Sequence, residues 1–297
     1  MRTRRTTLAA TVAVATLALA ACGGSEAEDD TAAEPSVAEA PQFEAGTTMA
    51  ELSEQGSLRV GTKFDQPGFG LENLEGDVEG FDVEVAKIIA GGLGIAPEEI
   101  EFVETPSAVR EEVLEGDEVD MVVATYTIND QRKERVSFAG PYYVAGQQIM
   151  VASDNDTITG PESLRDNPDA TVCSVTGSTP SENIRQYLAS DDQLVLFDEY
   201  SQCADALSNG QVQAVTTDNV ILLGFVSESD GAFKLVGEQF TEEPYGVGIA
   251  KGDVAFCEFI NETLAANADA YTQAWESTAG QVEGAETPTL PEPAPCS

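Results

Sequence analysis

Three groups of side chains in this sequence have the types and spacing to hold a charged small molecule. Thr125, Thr127 and Arg132 lie within eight residues, so two hydroxyls and a guanidinium can converge on one anion. A guanidinium suits a carboxylate because its planar fork donates two parallel hydrogen bonds. The second group is the turn V-T-G-S-T-P, where Thr176 and nearby backbone N–H groups lead into a helix at Pro180, a natural anion seat. Ser178 or Thr179 can cap that helix at the same time. Third, Asp218 closes the run V-T-T-D and offers a carboxylate to a cation. Each group also has a plainer reading: Arg132 as a solvated cation beside Lys133 and Arg135, Asp218 as an N-cap ahead of Asn219. The chain has no histidine, which excludes His-based triads and His-ligated metals. With no poised acid/base pair among these groups, the chemistry they suggest is binding rather than turnover.

The elements that must position them are legible from periodicity. Val119–Ala124 is short, β-branched and uninterrupted, which fits a strand buried on both faces, and the Thr/Arg group sits in the loop at its end. From Ser57 onward strands alternate with helical patterns, which argues for α/β layers with parallel sheets. Leu58–Thr62 reads as the first strand; Phe81–Leu93 is a helix capped by Asp82, and Ser107–Glu115 another. A change of lobe falls in YYVAGQQIMVA. Strands at TVCSVTGS, LVLFDEY, VQAVTT and FKLVGEQF then build a second lobe, before YGVGIAKG and the helix 254–268 return to the first. The division is residues 51–146 with 241–297 for one lobe and 147–240 for the other. Ligands of open α/β sheets sit at strand carboxyl ends, which is where the polar groups fall.

Residues 1–21 read as an export signal: Arg2, Arg4 and Arg5, an apolar run, then Leu19-Ala20-Ala21-Cys22, which resembles the bacterial lipobox. Cys22 would be acylated, anchoring the protein to the extracytoplasmic face of the cell membrane. The twin Arg4-Arg5 leaves a Tat route open. Residues 22–50 are acidic and poor in large apolar side chains, which predicts a flexible tether. There are 53 acids and 14 bases; without the three signal arginines the mature chain has 11 bases and a net charge of −42. That field repels nucleic acid and anionic lipid, so neither is an expected partner. With Cys22 set aside, four cysteines remain, an even number in an exported chain, with three possible pairings. No C-x-x-C spacing points to zinc, and no cofactor is implied.

The run T-I-N-D-Q-R-K-E-R-V-S-F-A-G-P-Y-Y resembles the T-I-T-x-x-R-x-x-x-V-x-F-S-x-P-Y signature of family 3 extracellular solute-binding proteins, the polar amino-acid receptors of ABC importers. GTKFDQPGFG, TPSAVRE and CSVTGSTP bring it nearer to the actinobacterial glutamate-binding members. Asn129 departs from the usual Thr. The resemblance implies the two-lobed periplasmic binding protein fold (type II) with a hinge, no enzymatic activity, and an ABC permease as partner to a monomeric receptor. It assigns Arg132, Thr127 and Thr125 to the ligand's α-carboxylate with Thr176 closing from the second lobe, and Asp218 to its ammonium. Lys63 and Arg110 match cation positions for a distal carboxylate, Ser107 shares a face with Arg110, and Phe64 would wall the carbon chain. It also implies a Cys173–Cys203 bridge; Cys257 and Cys296 then pair by elimination. The leading ligand is glutamate, with aspartate beside it. The alternatives are another polar amino acid such as glutamine, or a same-fold enzyme such as a cyclohexadienyl dehydratase.

Overall fold

The computed structural model describes residues 36–297. The signal 1–21, Cys22 and the first part of the tether lie outside the described residues. The flexible tether expected over 22–50 is not borne out over 38–50, which pack on the first lobe: Ala38 N donates to the Gly91 carbonyl (2.9 Å) and Phe43 meets the edge of Phe259 with centroids 5.5 Å apart. Thr47 caps a helix, Thr48–Gln55, that buries Met49 and Leu52. A few apolar side chains suffice here because they dock on a surface that already exists and need no core of their own.

Two five-stranded sheets form the two lobes. The first runs β5 (Ile100–Glu104), β1 (Leu58–Thr62), β6 (Met121–Val122), β13 (Glu243–Ile249), β7 (Ser137–Ala145). The second runs β10 (Leu194–Phe197), β9 (Val172–Val175), β11 (Ala214–Asp218), β8 (Gln147–Ala152), β12 (Phe233–Val236). A small antiparallel sheet of β2 (Asp65–Gln66), β3 (Gly70–Glu72) and β4 (Val78–Glu79) follows β1. The fold is α/β as expected, but the sheets are mixed. β13 is antiparallel to β6 and β7, and β8 is antiparallel to β11 and β12. The cause is the crossing itself. Only Gly146 separates β7 from β8, so one nearly continuous strand leaves the first sheet and enters the second, and β12 to β13 returns alongside it. The strand that enters each lobe from the other, β8 or β13, therefore runs against its neighbours, while the strand that leaves, β7 or β12, keeps the direction of the βαβ strands.

Each sheet has its own core. In the first lobe Phe69, Phe81, Tyr142, Tyr143, Tyr245, Tyr271 and Trp275 form an aromatic cluster, with Tyr143 stacked on Trp275 at 5.1 Å. Trp275 comes from a helix, Ala268–Ser277, that follows Val254–Ala266 where sequence periodicity indicated one helix. In the second lobe Met150, Cys173, Cys203 and Val215 pack with the helix Asn219–Glu228. Asp82 does not cap its helix, whose N-cap is Gly80; it is fully buried and serves the site described below. No helix among the described residues is long and apolar enough to cross a membrane.

Both disulfides, Cys173–Cys203 and Cys257–Cys296, are formed. The first ties β9 to the helix Tyr200–Ser208, and the second pins the tail to Val254–Ala266. Replacing Cys173 and Cys203 together by serine is expected to lower unfolding stability by about 2–5 kcal/mol, as for native bridges of exported domains. Denaturant titration of the mature protein measures the loss, and non-reducing peptide mapping of the wild type should find neither thiol free.

Candidate ligand-binding cleft

The strand ends of both sheets meet at one narrow cavity, of about 10 Å³, lined from the first lobe by Ser107, Arg110, Thr125 and Thr127 and from the second by Ser178, Thr179, Pro180, Tyr200, Thr217, Asp218 and Ile221. Five of the nine residues proposed from sequence therefore line it: Ser107, Arg110, Thr125, Thr127 and Asp218. Lys63 stands directly behind, 3% exposed, its Nζ donating to Ser107 Oγ at 2.9 Å. Arg132 lies at the adjoining mouth of the cleft with Gly177 and Thr179. Its Nη1 donates to the Thr127 carbonyl (2.6 Å), its Nη2 crosses to the Gly177 carbonyl (3.0 Å), and its Nε is 3.4 Å from Glu111. It is therefore buried, not a solvated surface cation.

Two candidates fall elsewhere. Thr176 is exposed, and its hydroxyl donates to the Phe197 carbonyl at 3.2 Å. The residue that crosses the cleft is Thr179, 3.2 Å from the Thr127 hydroxyl and 2.7 Å from Glu243 Oε2. The reason is the turn: Gly177 at φ +76° swings the chain so that Ser178 caps the helix Thr179–Asn183 and Thr179 faces the first lobe. Phe64 is half-buried and does not line the cavity. Asn129, the departure from the signature, caps the turn that carries Arg132, accepting from Arg132 N at 2.8 Å. A short Asx side chain does there what a Thr would do.

Several contributors gave little sign of themselves in sequence. Tyr126 lies beneath both guanidiniums, with Arg110 at 4.3 Å and Arg132 at 5.1 Å from its centroid. Its place between Thr125 and Thr127 was the available signal, since arginine planes favour aromatic faces. Asp82 holds the strand-end turn: Oδ2 accepts from Thr125 N (2.7 Å) and Oδ1 from the Tyr142 hydroxyl (2.6 Å), while Thr125 Oγ1 donates to Gln66 Oε1 (3.0 Å). Thr125 sits at φ +43°, a conformation non-glycine residues adopt only under such constraint. Burial raises the Asp82 carboxyl to about 7 even though these donors favour its anion.

The charges around the cavity are only partly compensated. Among the buried cations of the described residues, Arg132 pairs with Glu111 whereas Lys63 and Arg110 join no ion pair. Arg110 Nη1 reaches the carbonyls of Ala124 (3.0 Å) and Thr125 (3.4 Å), and its Nε has no partner. Burial, reinforced by the nearby Arg110 charge, lowers Lys63 to about 7. Across the cavity Asp218 occupies an N-cap position but makes no capping bond; its Oδ2 accepts from the Tyr245 hydroxyl at 2.6 Å and its Oδ1 has no partner. Burial, then the Glu243 charge, raises it to about 8. Buried polar groups without partners are costly, and Arg110 Nε, Thr217 Oγ1 and Asp218 Oδ1 all line this one cavity, which makes it the candidate ligand site.

Where the lobes touch, glycine permits the approach. A Cβ on Gly224, in the second lobe, would lie 2.6 Å from the Pro67 carbonyl of the first. Gly224→Ala should strengthen its own helix, since alanine is favoured there by about 1 kcal/mol. It should nevertheless block lobe contact at an overpacking cost of about 1–3 kcal/mol. The expected result is an unimpaired thermal midpoint without ligand and roughly 5- to 100-fold weaker ligand binding. Small-angle scattering at saturating ligand should find the variant less compact than wild type.

Two α/β lobes closing strand-end loops over a buried, charged cavity define a two-lobed ligand receptor with the type II periplasmic binding protein fold. The chain belongs to the bacterial extracellular solute-binding proteins, family 3, which residues 58–274 match. It is 40% identical over 271 residues to the glutamate-binding protein GluB of Corynebacterium efficiens, covering 87% of this chain and 85% of that one. It is 35% identical over 252 residues to a glutamine-binding protein of Geobacillus stearothermophilus, covering 84% and 94%. Among solved structures, an ancestral arginine-binding protein bound to glutamine superposes with a TM-score of 0.69 at 34% identity, covering 75% of this chain and 97% of that one.

Proposed function

We propose that this protein is a lipid-anchored extracytoplasmic receptor that captures L-glutamate, with L-aspartate as a weaker ligand, and delivers it to the permease of an ABC importer. The observation that carries the choice of ligand is the pair of buried cations, Lys63 and Arg110, without a carboxylate partner, set across one cavity from the unpartnered Oδ1 of Asp218. A free amino acid with an acidic side chain satisfies all of them: ammonium to Asp218, γ-carboxylate to Lys63, Arg110 and Ser107, α-carboxylate to Arg132, Thr127 and Thr179. The GluB similarity supports this reading, while the glutamine-binding relative makes glutamine the competing ligand. A calorimetric panel of the twenty amino acids against the mature, tether-free protein tests it. Glutamate should bind tightest; a preference for any neutral amino acid overturns the assignment. Incubation with prephenate should show no turnover, as expected of a receptor.

Binding should leave a proton signature. A γ-carboxylate beside Lys63, near 7 without it, raises that pKa, so at pH 7.5 the site takes up roughly three-quarters of a proton there. An ammonium beside Asp218, near 8 without it, lowers that pKa and releases about as much. The two cancel near pH 7.5. Below it the release dominates, so affinity falls as pH falls; above it the uptake dominates, so affinity falls as pH rises. Calorimetry in two buffers of different ionisation enthalpy should find little net exchange for the wild type at pH 7.5 and release of more than half a proton for Lys63→Gln.

A further inference from the structure

The helix Tyr200–Ser208 of the second lobe begins without a cap of its own, because the side chain of Glu199, at its N-cap position, makes no bond to the first-turn amides. Those amides are satisfied from the other lobe. Asp65 of β2 accepts from Tyr200 N at 2.7 Å and from Ser201 N at 3.3 Å through the same Oδ2, a contact between residues 135 and 136 positions apart. The helix is not a peripheral one: Tyr200 lines the ligand cavity, and Cys203 fastens it to β9. Asp65 is held in turn by the β2–β3 pairing and stands two residues beyond Lys63.

We infer that Asp65 is a positioning residue that completes a helix N-cap across the cleft, so that ligand affinity includes the stabilisation of this cap although Asp65 touches no ligand. Orphan amides at a helix start must find an acceptor, and a carboxylate there also meets the positive end of the helix dipole. When the lobes separate, both contributions are lost and the amides return to water. The flank is acidic: burial raises the Glu104 carboxyl of β5, as does the neighbouring Glu199, with Asp65 and Glu72 adding to the same negative field, while Lys63 is the cation beside Asp65. The cap is thus an attractive contact on an acidic flank, two residues from Lys63.

The inference rests on the receptor function proposed above, and the test keeps the two apart. Mature wild type, Asp65→Ala and Asp65→Asn are titrated with L-glutamate and, separately, with L-glutamine, so a wrong choice between these ligands leaves the comparison readable. Failure of the function reading appears in the wild-type arm; failure of the cap appears only between wild type and variants. Asp65→Ala should bind roughly 3- to 30-fold more weakly, mainly through faster dissociation in stopped flow. Asp65→Asn, an equally good cap residue without the charge, should recover most of the loss. The thermal midpoint of Asp65→Ala should fall relative to wild type only with saturating ligand. Wild-type affinity in Asp65→Ala would overturn the inference, as would an Asp65→Asn no better than the alanine, which would assign the effect to charge near Lys63. An equal fall in midpoint with and without ligand would make Asp65 a structural residue of one state and overturn it too.

Discussion

Arg132→Ala is expected to weaken L-glutamate and L-glutamine alike, by roughly 10²- to 10³-fold. Both ligands present the same α-carboxylate, and Arg132, 6% exposed, stands at the mouth of the cleft beside Thr179 and donates to the Thr127 carbonyl. The side chain does more than neutralise charge. It bridges the lobes through the Thr127 and Gly177 carbonyls, pairs with Glu111, and lies over Tyr126. Truncation leaves Glu111 and two carbonyls without a donor. Removing one member of a buried charged pair costs about 2–5 kcal/mol, most of it from the partner left unpaired. Arg132→Lys should rescue little, since an ammonium cannot reproduce the two parallel donors or stack on the ring. Calorimetric titration of both ligands reads the outcome. A glutamate affinity within threefold of wild type, or a changed glutamate-to-glutamine ratio, would remove Arg132 from the α-carboxylate role.

Arg110→Ala should change the ratio instead. Arg110 is 2% exposed with an unpartnered Nε, and Lys63 behind it has a single hydrogen bond, to Ser107. A γ-carboxylate answers Arg110 and draws a proton onto Lys63, whereas a γ-amide does neither and leaves Arg110 buried without a counter-charge. Sites with buried polar groups reject the analogue that leaves them unpaired by large factors, up to about 10⁴–10⁵. The wild type should therefore prefer glutamate to glutamine by at least about 10²-fold. Arg110→Ala should cost glutamate about as much while changing glutamine by less than about tenfold, since glutamine never made the charged contact. An unchanged ratio in Arg110→Ala, or a wild type that binds the two ligands equally, would mean that these cations serve another polar amino acid.

Much of this molecule is written in local pattern. Leu58–Thr62 is a strand over the residues periodicity indicated, with Leu58 and Val60 fully buried and a parallel neighbour on each side. Lys63 and Arg110 were singled out for a different reason: they match the cation positions of the family the sequence resembles, and in a chain with 14 bases and 53 acids such matches carry weight. Side-chain direction was not legible. Thr176 and Thr179 are equivalent as letters in a polar turn, and only the left-handed Gly177 sends the second across the cleft. The helical pattern of 254–268 likewise concealed a break at Asn267, followed by the helix that brings Trp275 to the aromatic cluster.

The sequence by itself determined the alternation of strands and helices and the chemical types available to a ligand, since these follow from hydrophobic period and composition. The tertiary structure alone decided that the strands entering each lobe from the other, β8 and β13, run against their neighbours, because direction depends on which sheet a strand joins. It decided that Asp82 is withdrawn from its helix end to hold Thr125, and that Asp65 caps a helix 135 residues away. Hydrogen bonds between segments so distant leave no periodic trace: each needs only one acceptor, and many carboxylates of this acidic chain could have supplied it. Which one does so is settled when the two lobes meet and the orphan amides take the nearest buried oxygen.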